Sequence, residues 1–273
     1  MTLHTAILQG TKLFEDAGSS VPRLTAEVLL CHALHCERPY LYAHPERELR
    51  EVEWLHYGRY LHERLKGKPT QYITQRQEFH GREFRVTPAV LIPRPETEHL
   101  IEMVLKLGCA GRIVDAGCGS GAIAITLALE TSASVATTDI SMAALAVAAA
   151  NARRLGASVQ FIACDLLSAL AGGSMDLVVS NPPYIALSER SGLQREVRDW
   201  EPGLALFAGP TGLEIYERLI PEAARVLRPG GWLVLELGQG TSIDRLLGAS
   251  WRGIEMANDL AGIPRVLACQ KAN

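Results

Sequence analysis

The chain has 273 residues, of which 27 are basic and 30 acidic, so its formal net charge is −3. A hydrophobic fraction of 48% with 21% charged residues is typical of a folded globular protein and excludes a mainly disordered chain. The longest strongly apolar run, residues 142–150, is far shorter than the roughly 20 residues that a membrane-spanning helix requires. The N-terminal residues are too polar for a signal peptide, so we expect a cytoplasmic protein.

The cysteines and the charge distribution exclude further classes of protein. Six cysteines are scattered without a Cys-x-x-Cys pair, as expected for reduced thiols. Residues 31–36 place two Cys/His pairs four residues apart, but no partner cluster follows, so we interpret them as packing residues and predict no metal. Charge is balanced over residues 1–75, and the acidic excess lies in residues 76–273. This balance disfavours a protein that coats DNA, which would need a basic face.

Residues 1–70 are predicted to form a small helical bundle. Apolar residues recur near the 3.6-residue helical period, with no competing β-alternation. Pro22 is expected to open the second helix, and Gly67 with Pro69 to end the last long one. Residues 71–95 are predicted to be a linker with a β-hairpin, because residues 83–86 alternate polar and apolar side chains. The predicted helical stripes are Ile7 and Phe14, then Leu24, Val28 and Cys31, then Trp54, Leu61 and Leu65.

Residues 96–273 are predicted to form a separate α/β domain. From residue 112 onward, short β-rich runs alternate with alanine-rich helical stretches, a pattern typical of a parallel sheet with helices on both faces. Helices are expected after the first, second and fourth strands, the last at about residues 213–227. We therefore predict a Rossmann-like sheet of seven mostly parallel strands. The predicted strands are residues 113–116, 135–140, 159–164, 177–180, 232–237, 254–257 and 265–269.

A glycine-rich loop follows the first predicted strand of this sheet. Glycines let the backbone turn tightly and approach a ligand at the carboxyl edge of the strands. Asp139 ends the next strand, where a carboxylate can accept hydrogen bonds from both ribose hydroxyls, and Asp165 ends the third, where it can accept from an adenine amino group. The loop residues predicted to bind such a ligand are Asp115, Gly117, Cys118, Gly119, Ser120 and Gly121.

The glycine loop alone leaves the ligand open. Its Gly-x-Gly-x-x-Ala pattern also fits a dinucleotide site, or a turn that only packs a helix on a strand. The acids at successive strand ends favour an adenosine ligand. Asp115 is expected to face an amino group or, through water, the methionyl part of S-adenosylmethionine.

The turn Asn181-Pro182-Pro183-Tyr184 directly follows the fourth strand, at the same sheet edge. Proline lacks an N–H and favours an extended preceding residue, so the turn is stiff and its carbonyls have few local donors. The Asn181 side-chain oxygen and the Pro182 carbonyl can accept the two protons of a planar NH2 group, on which Tyr184 can stack. The nitrogen of such a group is weakly nucleophilic, and two acceptors stabilise the positive charge that develops on it. The turn therefore indicates methyl transfer to an amide or exocyclic amine.

The same turn resembles the signature of nitrogen-directed, S-adenosylmethionine-dependent methyltransferases. The surrounding sequence resembles the HemK/PrmC family in particular, from about Thr25 to the C-terminus, and Ile-Pro-Arg-Pro-Glu-Thr-Glu at residues 92–98 is highly specific. The chain departs from the family pattern at two positions, and both affect local loop shape. Gln75 stands where glycine is expected, and Thr211 stands where aspartate is expected before Gly212. The stretches that carry the resemblance are residues 71–73, 78–81, 90–98, 181–184, 201–202, 229–231 and 259–262.

The resemblance implies a class I methyltransferase fold and a protein-(glutamine-N5) methyltransferase. Its substrate would be the glutamine in the Gly-Gly-Gln motif of class 1 peptide chain release factors, clamped by residues 181–184, with Asn181, Pro182 and Tyr184 catalytic. S-adenosyl-L-methionine would be the cofactor and S-adenosyl-L-homocysteine the product. The bundle would grip the release factor elsewhere, and we expect a monomer without nucleic-acid or membrane partners. The implied cofactor residues are the loop residues 117–121 with Asp115, Asp139, Ile140, Asp165, Leu166 and Asn181.

Several alternatives stay open at this point. A methyltransferase for a ribosomal-protein glutamine would differ only in what the bundle binds. A nucleic-acid adenine N6-methyltransferase would need a basic, aromatic-rich extension for base flipping, whereas only 6% of this chain is aromatic. A dinucleotide-dependent dehydrogenase or a non-enzymatic binding module would leave residues 181–184 unexplained.

Two segments near the predicted site also have two interpretations. Arg94 and Glu96 either line the cofactor entrance or belong to a linker stiffened by Pro93 and Pro95. Residues 188–209 lack a regular pattern and form either a lid on the substrate side or a solvated loop with one anchored aromatic, Trp200. Their position after the catalytic turn favours the lid.

Overall fold

Helices dominate the first 75 residues, and strands alternate with helices after them. The computed structural model describes residues 1–259 and 261–272, so Leu260 of the stretch 259–262 lies outside the described residues. The chain divides into two compact units: Met1–Gln75 with Gln194–Trp200, and Arg76–Leu193 with Glu201–Asn273. Within the described ranges, every helix is too short or too polar to cross a bilayer.

The helices and strands are numbered in chain order. The helices are α1 (Leu3–Asp16), α2 (Pro22–Leu34), α3 (Arg38–Ala43), α4 (Glu51–Leu65), α5 (Thr70–Thr74), α6 (Glu98–Leu107), α7 (Ala122–Glu130), α8 (Met142–Leu155), α9 (Arg195–Trp200), α10 (Gly203–Leu206), α11 (Glu214–Val226) and α12 (Asp244–Leu247). The strands are β1 (Arg76–Phe79), β2 (Arg82–Arg85), β3 (Arg112–Ala116), β4 (Ser134–Asp139), β5 (Val159–Ala163), β6 (Met175–Ser180), β7 (Ile185–Ala186), β8 (Phe207–Gly209), β9 (Leu227–Glu236), β10 (Trp251–Asn258) and β11 (Pro264–Lys271). Short 3-10 turns lie at Pro95–Thr97, Leu187–Gly192 and Gly248–Ser250.

One apolar core holds helices α1, α2 and α4 of the first unit together. α1 buries Ile7 and Phe14, as predicted. The stripes predicted for α2 and α4 were wrong in part, because Leu24, Trp54 and Leu65 are exposed. Another apolar stripe competes on α2 and has the better spacing for one helix face, i, i+3, i+4 and i+7. That buried stripe is Ala26, Leu29, Leu30 and Ala33.

The helical segment ends in a residue with a left-handed backbone. Gln75 closes α5 with φ at 58°, and its N–H donates to the Gln71 carbonyl. A left-handed backbone favours glycine, the residue that the family resemblance leads us to expect here. Gln75 therefore keeps the turn and carries backbone strain that glycine would avoid.

The second unit is built on a sheet that has seven strands within the described residues, in the order β10-β11-β9-β6-β3-β4-β5. Strands β9, β6, β3, β4 and β5 are mutually parallel, and β11 is antiparallel to both β9 and β10. This confirms the predicted sheet. β3 and β6 are buried, nearly continuous apolar runs, as expected for parallel strands covered on both faces.

Helices cover both faces of this sheet and fix which edge carries the site. α7 follows β3, α8 follows β4, and α11 lies between β6 and β9, as predicted. α6 and α7 contribute to one apolar cluster and α11 to another. Residues 188–209, where the sequence shows little regular pattern, contain α9, α10 and β8. Because β3 to β6 are parallel, their carboxyl ends meet at one edge, where the glycine loop and residues 181–184 begin.

The predicted hairpin is formed by β1 and β2, with Gln77 paired to Phe84. Phe79 and Phe84 are buried and meet edge-on, with ring centroids 6.0 Å apart. Both rings belong to the apolar cluster that includes α6 and α7. The hairpin is therefore part of the second unit's core, although we predicted it as part of a linker.

Candidate functional site

A cavity of about 390 Å³ opens at the carboxyl edge of the sheet. This volume lies within the range of small-ligand pockets, about 300–1,000 Å³. Among the predicted site residues, those that line it are Gly117, Cys118, Gly119, Ser120, Asp139, Ile140, Asp165, Leu166, Asn181 and Pro183. The other predicted residues, Asp115, Gly121, Pro182 and Tyr184, lie outside its lining.

The glycine loop is fixed from behind by β4 and α8. The N–H groups of Gly117 and Cys118 both donate to the Thr138 carbonyl at 2.9 Å. Gly121 has φ at +83°, and a Cβ there would lie 3.1 Å from the Ala148 Cβ. The backbone conformation and the close approach both require glycine at this position.

Asp139 ends β4 and also holds the glycine loop through its side chain. Its Oδ2 accepts from the Gly119 N–H at 3.1 Å, and its Oδ1 accepts from the Ser141 N–H at 2.8 Å. Each carboxylate oxygen keeps a lone pair for a ligand hydroxyl. The arrangement suits the predicted ribose contact, which stays a prediction.

Asp115 lies beneath the glycine loop and is completely buried. Its Oδ2 accepts from the Thr137 hydroxyl at 3.3 Å, whereas its Oδ1 has no hydrogen-bond partner among the described residues. Burial, together with the nearby Asp139 carboxylate, raises the pKa of Asp115 to about 8. The contact of Asp115 with the cofactor stays a prediction. Because the side chain is buried, such a contact would have to pass through a bridging water.

Asn151 of α8 holds the glycine loop in place and was missed by our sequence analysis. It is completely buried. Its Nδ2 donates to the Ser120 and Arg85 carbonyls at 2.9 Å, and its Oδ1 accepts from the Arg85 N–H at 2.8 Å. The cofactor loop is thereby tied to β2. The available signal was one asparagine inside an alanine-rich helical stretch, where it is a poor helix former.

Asp165 and Leu166 form the wall beyond β5. Asp165 forms a salt bridge with Arg218 of α11, and both side chains are about half exposed. Leu166 takes a left-handed backbone, with φ at 45°. An adenine amino group at the predicted position would share the Asp165 carboxylate with Arg218.

Asn181 faces the cavity from the end of β6. Its Nδ2 donates to the hydroxyl of Thr97 at 3.1 Å. This bond orients the amide and leaves the Asn181 Oδ1 as the atom available to a substrate. Ser180 donates to the Ala116 carbonyl at 2.6 Å, so the turn begins directly beside the glycine loop. Thr97 belongs to the specific stretch 92–98 but was missed as a partner of Asn181.

Tyr184 packs behind the cavity wall, against the apolar cluster of α11. Its hydroxyl donates to Glu236 Oε1 at 3.4 Å. Its ring leaves no room for a side chain at position 238, where a Cβ would lie 2.7 Å from the Tyr184 Cδ2. Burial raises the pKa of Tyr184, so the hydroxyl stays protonated. Its predicted stacking on a substrate amide stays a prediction.

A buried ion pair joins two of the stretches that resemble the HemK/PrmC family. Arg94 donates to Glu201 Oε1 at 2.5 Å, and the Ile92 N–H donates to Glu201 Oε2 at 3.3 Å. Arg94 lines the cavity and Glu96 does not. Leu204, in the segment after Glu201, lines the cavity and is 75% exposed. An exposed apolar residue in the cavity wall is compatible with the lid hypothesis, which stays a prediction.

Thr211 stands where the family resemblance leads us to expect an aspartate. Its Oγ1 accepts from the Leu213 N–H at 3.3 Å and donates to Glu214 at 3.0 Å, so it holds the loop directly before α11. Gly212 has φ at +85°, and a Cβ there would lie 2.7 Å from the Tyr184 carbonyl oxygen. The departure thus preserves the loop beneath the catalytic turn.

The thiols show no arrangement for metal binding. Within residues 1–259 and 261–272, no group of three or more His, Cys, Asp or Glu side chains is placed to hold a metal ion. Cys31 and Cys36 approach each other, and burial raises the pKa of both thiols. Protonated, packed thiols agree with the packing interpretation of residues 31–36.

Two family models match the chain. The PrmC N-terminal domain matches residues 5–74, and the Methyltransferase small domain matches residues 95–195. Two solved structures are similar in fold. The hMettl16 catalytic domain in complex with MAT2A 3'UTR hairpin 1 has a TM-score of 0.58 at 18% identity and covers 85% of this chain and 87% of that chain. The T. thermophilus 16S rRNA N2 G1207 methyltransferase has a TM-score of 0.55 at 21% identity, and the match covers 72% of this chain and 49% of that chain.

Curated relatives match at much higher identity. The Release factor glutamine methyltransferase of Koribacter versatilis is 46% identical over 278 residues, covering 99% of both chains. The protein of that name from Moorella thermoacetica is 44% identical over 97% of both chains. The one from Bacillus subtilis is 39% identical over 97% of this chain and 96% of its own. The chain therefore belongs to the release factor glutamine methyltransferase family, as its HemK/PrmC resemblance predicted.

Proposed function

We propose that this protein transfers the methyl group of S-adenosylmethionine to the side-chain amide nitrogen, N5, of the glutamine in the Gly-Gly-Gln motif of class 1 peptide chain release factors. The observation that carries the proposal is the position of Asn181, whose oriented amide lines the same cavity as the glycine loop. The family and the printed names of relatives that are 39–46% identical support the substrate.

The cavity fits S-adenosylmethionine in charge and in polarity. Asp139 and Asp165 in its wall suit a ligand that carries a sulfonium and an ammonium group, and the unpartnered Oδ1 of Asp115 adds an acceptor beneath the loop. Ile140 and Leu166 offer apolar contact for an adenine ring. The residues that would hold the cofactor are Gly117, Cys118, Gly119, Ser120, Asp139, Ile140, Asp165 and Leu166, backed by Asp115 and Gly121, with Asn181 at the reacting end.

The chain's own residues act on the nitrogen of the substrate. When bound, S-adenosylmethionine supplies an electrophilic methyl group on a positively charged sulfur. An amide nitrogen is a poor nucleophile because its lone pair is delocalised. The Asn181 Oδ1 and the Pro182 carbonyl accept hydrogen bonds from the two N–H groups of the amide. These bonds align the lone pair and stabilise the positive charge that grows on the nitrogen. The methylated nitrogen is acidic and releases its proton afterwards, so no strong base is needed at the start.

The N-terminal helices, residues 1–70, are proposed to dock the release factor away from the reacting glutamine. The segment 71–95, whose hairpin packs in the core of the second unit, then connects them to residues 96–273. The match of residues 5–74 to the PrmC N-terminal domain supports a dedicated role. Val52 and Leu55 of α4 are 60% and 61% exposed and offer apolar contact area. A substrate that belongs to translation supports a cytoplasmic location, and we propose a monomer without direct nucleic-acid contact.

Methyl-labelled S-adenosylmethionine tests this proposal. The protein is incubated separately with a release factor, a pool of ribosomal proteins and DNA. We expect label in the release factor alone, and label in DNA or in ribosomal proteins instead would overturn the proposal. Asn181→Ala is expected to abolish transfer while the Kd for S-adenosylhomocysteine changes less than about twofold, because the variant removes an acceptor for the substrate. Asn258→Ala, which alters an exposed asparagine on β10, is the matched control.

A further inference from the structure

The segment that follows the catalytic turn is divided between the two units. Residues 76–193 belong to the second unit and residues 194–200 to the first, and the chain returns to the second unit at Glu201. The part that belongs to the first unit contains α9, a helix of six residues. The chain of the catalytic unit thus contributes a helix to the N-terminal unit, a feature that the proposed mechanism does not use.

α9 is too short to be stable as an isolated helix. Helices shorter than about 12 residues are marginal in water, and most helical stability in proteins comes from tertiary packing. None of the six residues of α9 is buried, so burial of an apolar face does not hold this helix in place. Its stability therefore depends on what its partly exposed side chains contact.

The side chains of α9 contact the end of α4 within the first unit. Arg64 Nη2 and Glu196 Oε2 lie 2.8 Å apart, and the two side chains are 20% and 33% exposed. The Arg64 Nε is buried, so the guanidinium is partly enclosed. Gly67 faces the next side chain of α9, because a Cβ at Gly67 would lie 3.2 Å from the Arg195 Nε. Salt screens a partly buried ion pair less than an exposed one, so the Arg64–Glu196 pair is suited to anchor the helix.

The residues that follow α9 are held in the second unit and form part of the cavity wall. Glu201 is 6% exposed, its Oε1 accepts from Arg94 at 2.5 Å, and its Oε2 accepts from the Ile92 N–H at 3.3 Å. The segment is therefore anchored in both units, by Glu196 and by Glu201. The wall residues that come next are Pro202, Leu204, Ala205, Phe207 and Ala208.

The short distance along the chain between the two anchors connects docking with the reacting site. Only four residues, all of them in α9, separate Glu196 from Glu201. A displacement of one anchor is therefore transmitted to the other while the helix is intact. Binding energy from parts of a substrate that are remote from the reacting atoms raises kcat only when it is expressed in the transition state. A helix anchored in the docking unit and continuous with the cavity wall provides such a route.

We infer that α9 is a positioning strap for methyl transfer: the Arg64–Glu196 ion pair anchors it to the N-terminal helices, and it sets the cavity wall at residues 201–208 when a release factor docks on those helices. The inference rests on the proposed function for the identity of the docked protein. The anchoring of α9 is a property of the protein without substrate or cofactor.

Hydrogen exchange measured by mass spectrometry tests the anchor in the free protein. Arg64→Glu makes the ion pair repulsive, and we expect the amides of residues 195–200 to exchange about fivefold faster or more, because α9 has no buried residue to hold it. The double variant Arg64→Glu with Glu196→Arg restores an attractive pair and should return exchange to the wild-type rate. Lys12→Glu makes the same change of charge in an exposed pair of the first unit and is the matched control, which should preserve the wild-type rate.

Turnover on two substrates tests the consequence. A whole release factor docks on the N-terminal helices, whereas a short synthetic peptide that contains Gly-Gly-Gln enters the cavity alone. We expect Arg64→Glu to lower kcat on the release factor about tenfold and to leave kcat on the peptide within about twofold, because only a docked substrate acts through the strap. KM for the release factor should change less than kcat, since Arg64 holds α9. The double variant should recover kcat, and Lys12→Glu should keep it.

The two arms separate this inference from the proposed function. Unchanged exchange of residues 195–200 in Arg64→Glu overturns the anchor, whatever the enzyme methylates. Faster exchange with a wild-type kcat on the release factor, or with an equal loss of kcat on both substrates, overturns the positioning role. A wild-type protein that methylates no release factor would instead overturn the proposed function.

Discussion

Carboxylates are buried in both units of this protein, but in opposite electrostatic surroundings. In the N-terminal unit, Glu53 is 3% exposed and forms ion pairs with Arg47 and Arg50 at 2.8 and 2.6 Å. Burial alone would raise its pKa, but hydrogen bonds from the two arginines lower the pKa of Glu53 to about 2. Glu27 is also buried and paired with arginine. These carboxylates are ionised, and the neighbouring arginines balance their charge. The ion pairs connect elements of the bundle.

In the catalytic unit, Asp115 and Glu236 are equally buried but have no basic partner in salt-bridge contact among the described residues. Burial raises the pKa of Asp115 to about 8 and that of Glu236 to about 7. Both acids lie behind the cavity, one beneath the glycine loop and one beneath the catalytic turn. Perturbed acids of this kind are typical of functional sites. The comparison separates carboxylates whose charge is balanced by arginines from carboxylates whose charge is opposed by burial.

The largest predicted effect breaks a paired acid. Arg47→Met should lower the free energy of unfolding at pH 7 by about 3 kcal/mol, because it leaves the buried charge of Glu53 undercompensated. The folded-state pKa of Glu53 is depressed, so its stabilising contribution is present above about pH 4.5 and is lost as pH falls toward 2. The deficit of the variant should therefore shrink in acid.

Urea unfolding at pH 7 and pH 3 measures this effect. Lys12→Met, which breaks an exposed pair with Asp16, is the matched control and should change stability far less than Arg47→Met does. An equal loss in both variants would contradict the distinction between buried and exposed pairs.

The second prediction concerns an acid that has no salt-bridge partner among the described residues, and here the substitution is expected to raise stability. The folded-state pKa of Glu236 is raised, so its ionisation costs stability as pH rises from about 4.5 toward 7. Glu236→Gln removes that cost and should gain about 2 kcal/mol at pH 8 and nothing at pH 4.5. Thermal unfolding across this pH range measures the gain, and a variant less stable than the wild type at pH 8 would show that the charge is compensated.

The third prediction concerns a buried polar group that is fully paired. Asn151→Leu removes the hydrogen bonds that Asn151 makes to the Ser120 carbonyl and to both backbone groups of Arg85. The glycine loop should loosen, and the Kd for S-adenosylhomocysteine should rise about tenfold because buried unpaired polar groups are costly. Calorimetric titration measures the affinity, with Asn258→Leu as the exposed control. Unchanged affinity in a folded Asn151→Leu protein would remove Asn151 from the account of the cofactor site.

The smallest prediction concerns backbone strain. Gln75→Gly should raise the free energy of unfolding by about 0.5–1 kcal/mol, because glycine adopts a φ of 58° without the steric cost that glutamine bears. Denaturant unfolding measures the gain. A loss instead would mean that contacts of the Gln75 side chain outweigh its strain.

Local patterns were enough to predict the fold class and the part of the cavity wall that lies at the strand ends. The alternation of strands and helices predicted the parallel sheet, and parallel strands necessarily bring Gly119, Asp139, Asp165 and Asn181 to one edge. Strand ends were less accurate: β9 begins at Leu227, five residues before the predicted start, because pairing with β6 extends it through a glycine pair with little strand propensity.

What the sequence could not supply were partners distant in the chain. Thr97 meets Asn181 across 84 residues, and Asn151 meets Arg85 across 66. Such pairs depend on tertiary packing, and no local period encodes them. The helix faces of α2 and α4 failed for a related reason, since each helix carries two apolar stripes and only the packed bundle selects one.

The central claim is that the site around Asn181 methylates the N5 nitrogen of a release-factor glutamine. Tandem mass spectrometry of a release factor, after incubation with the protein and isotopically labelled S-adenosylmethionine, tests it most directly. We expect the label on the glutamine side chain of the Gly-Gly-Gln motif with the wild-type protein and no label with Asn181→Ala. Label on any other residue of the release factor, or equal labelling by Asn181→Ala, would contradict the claim.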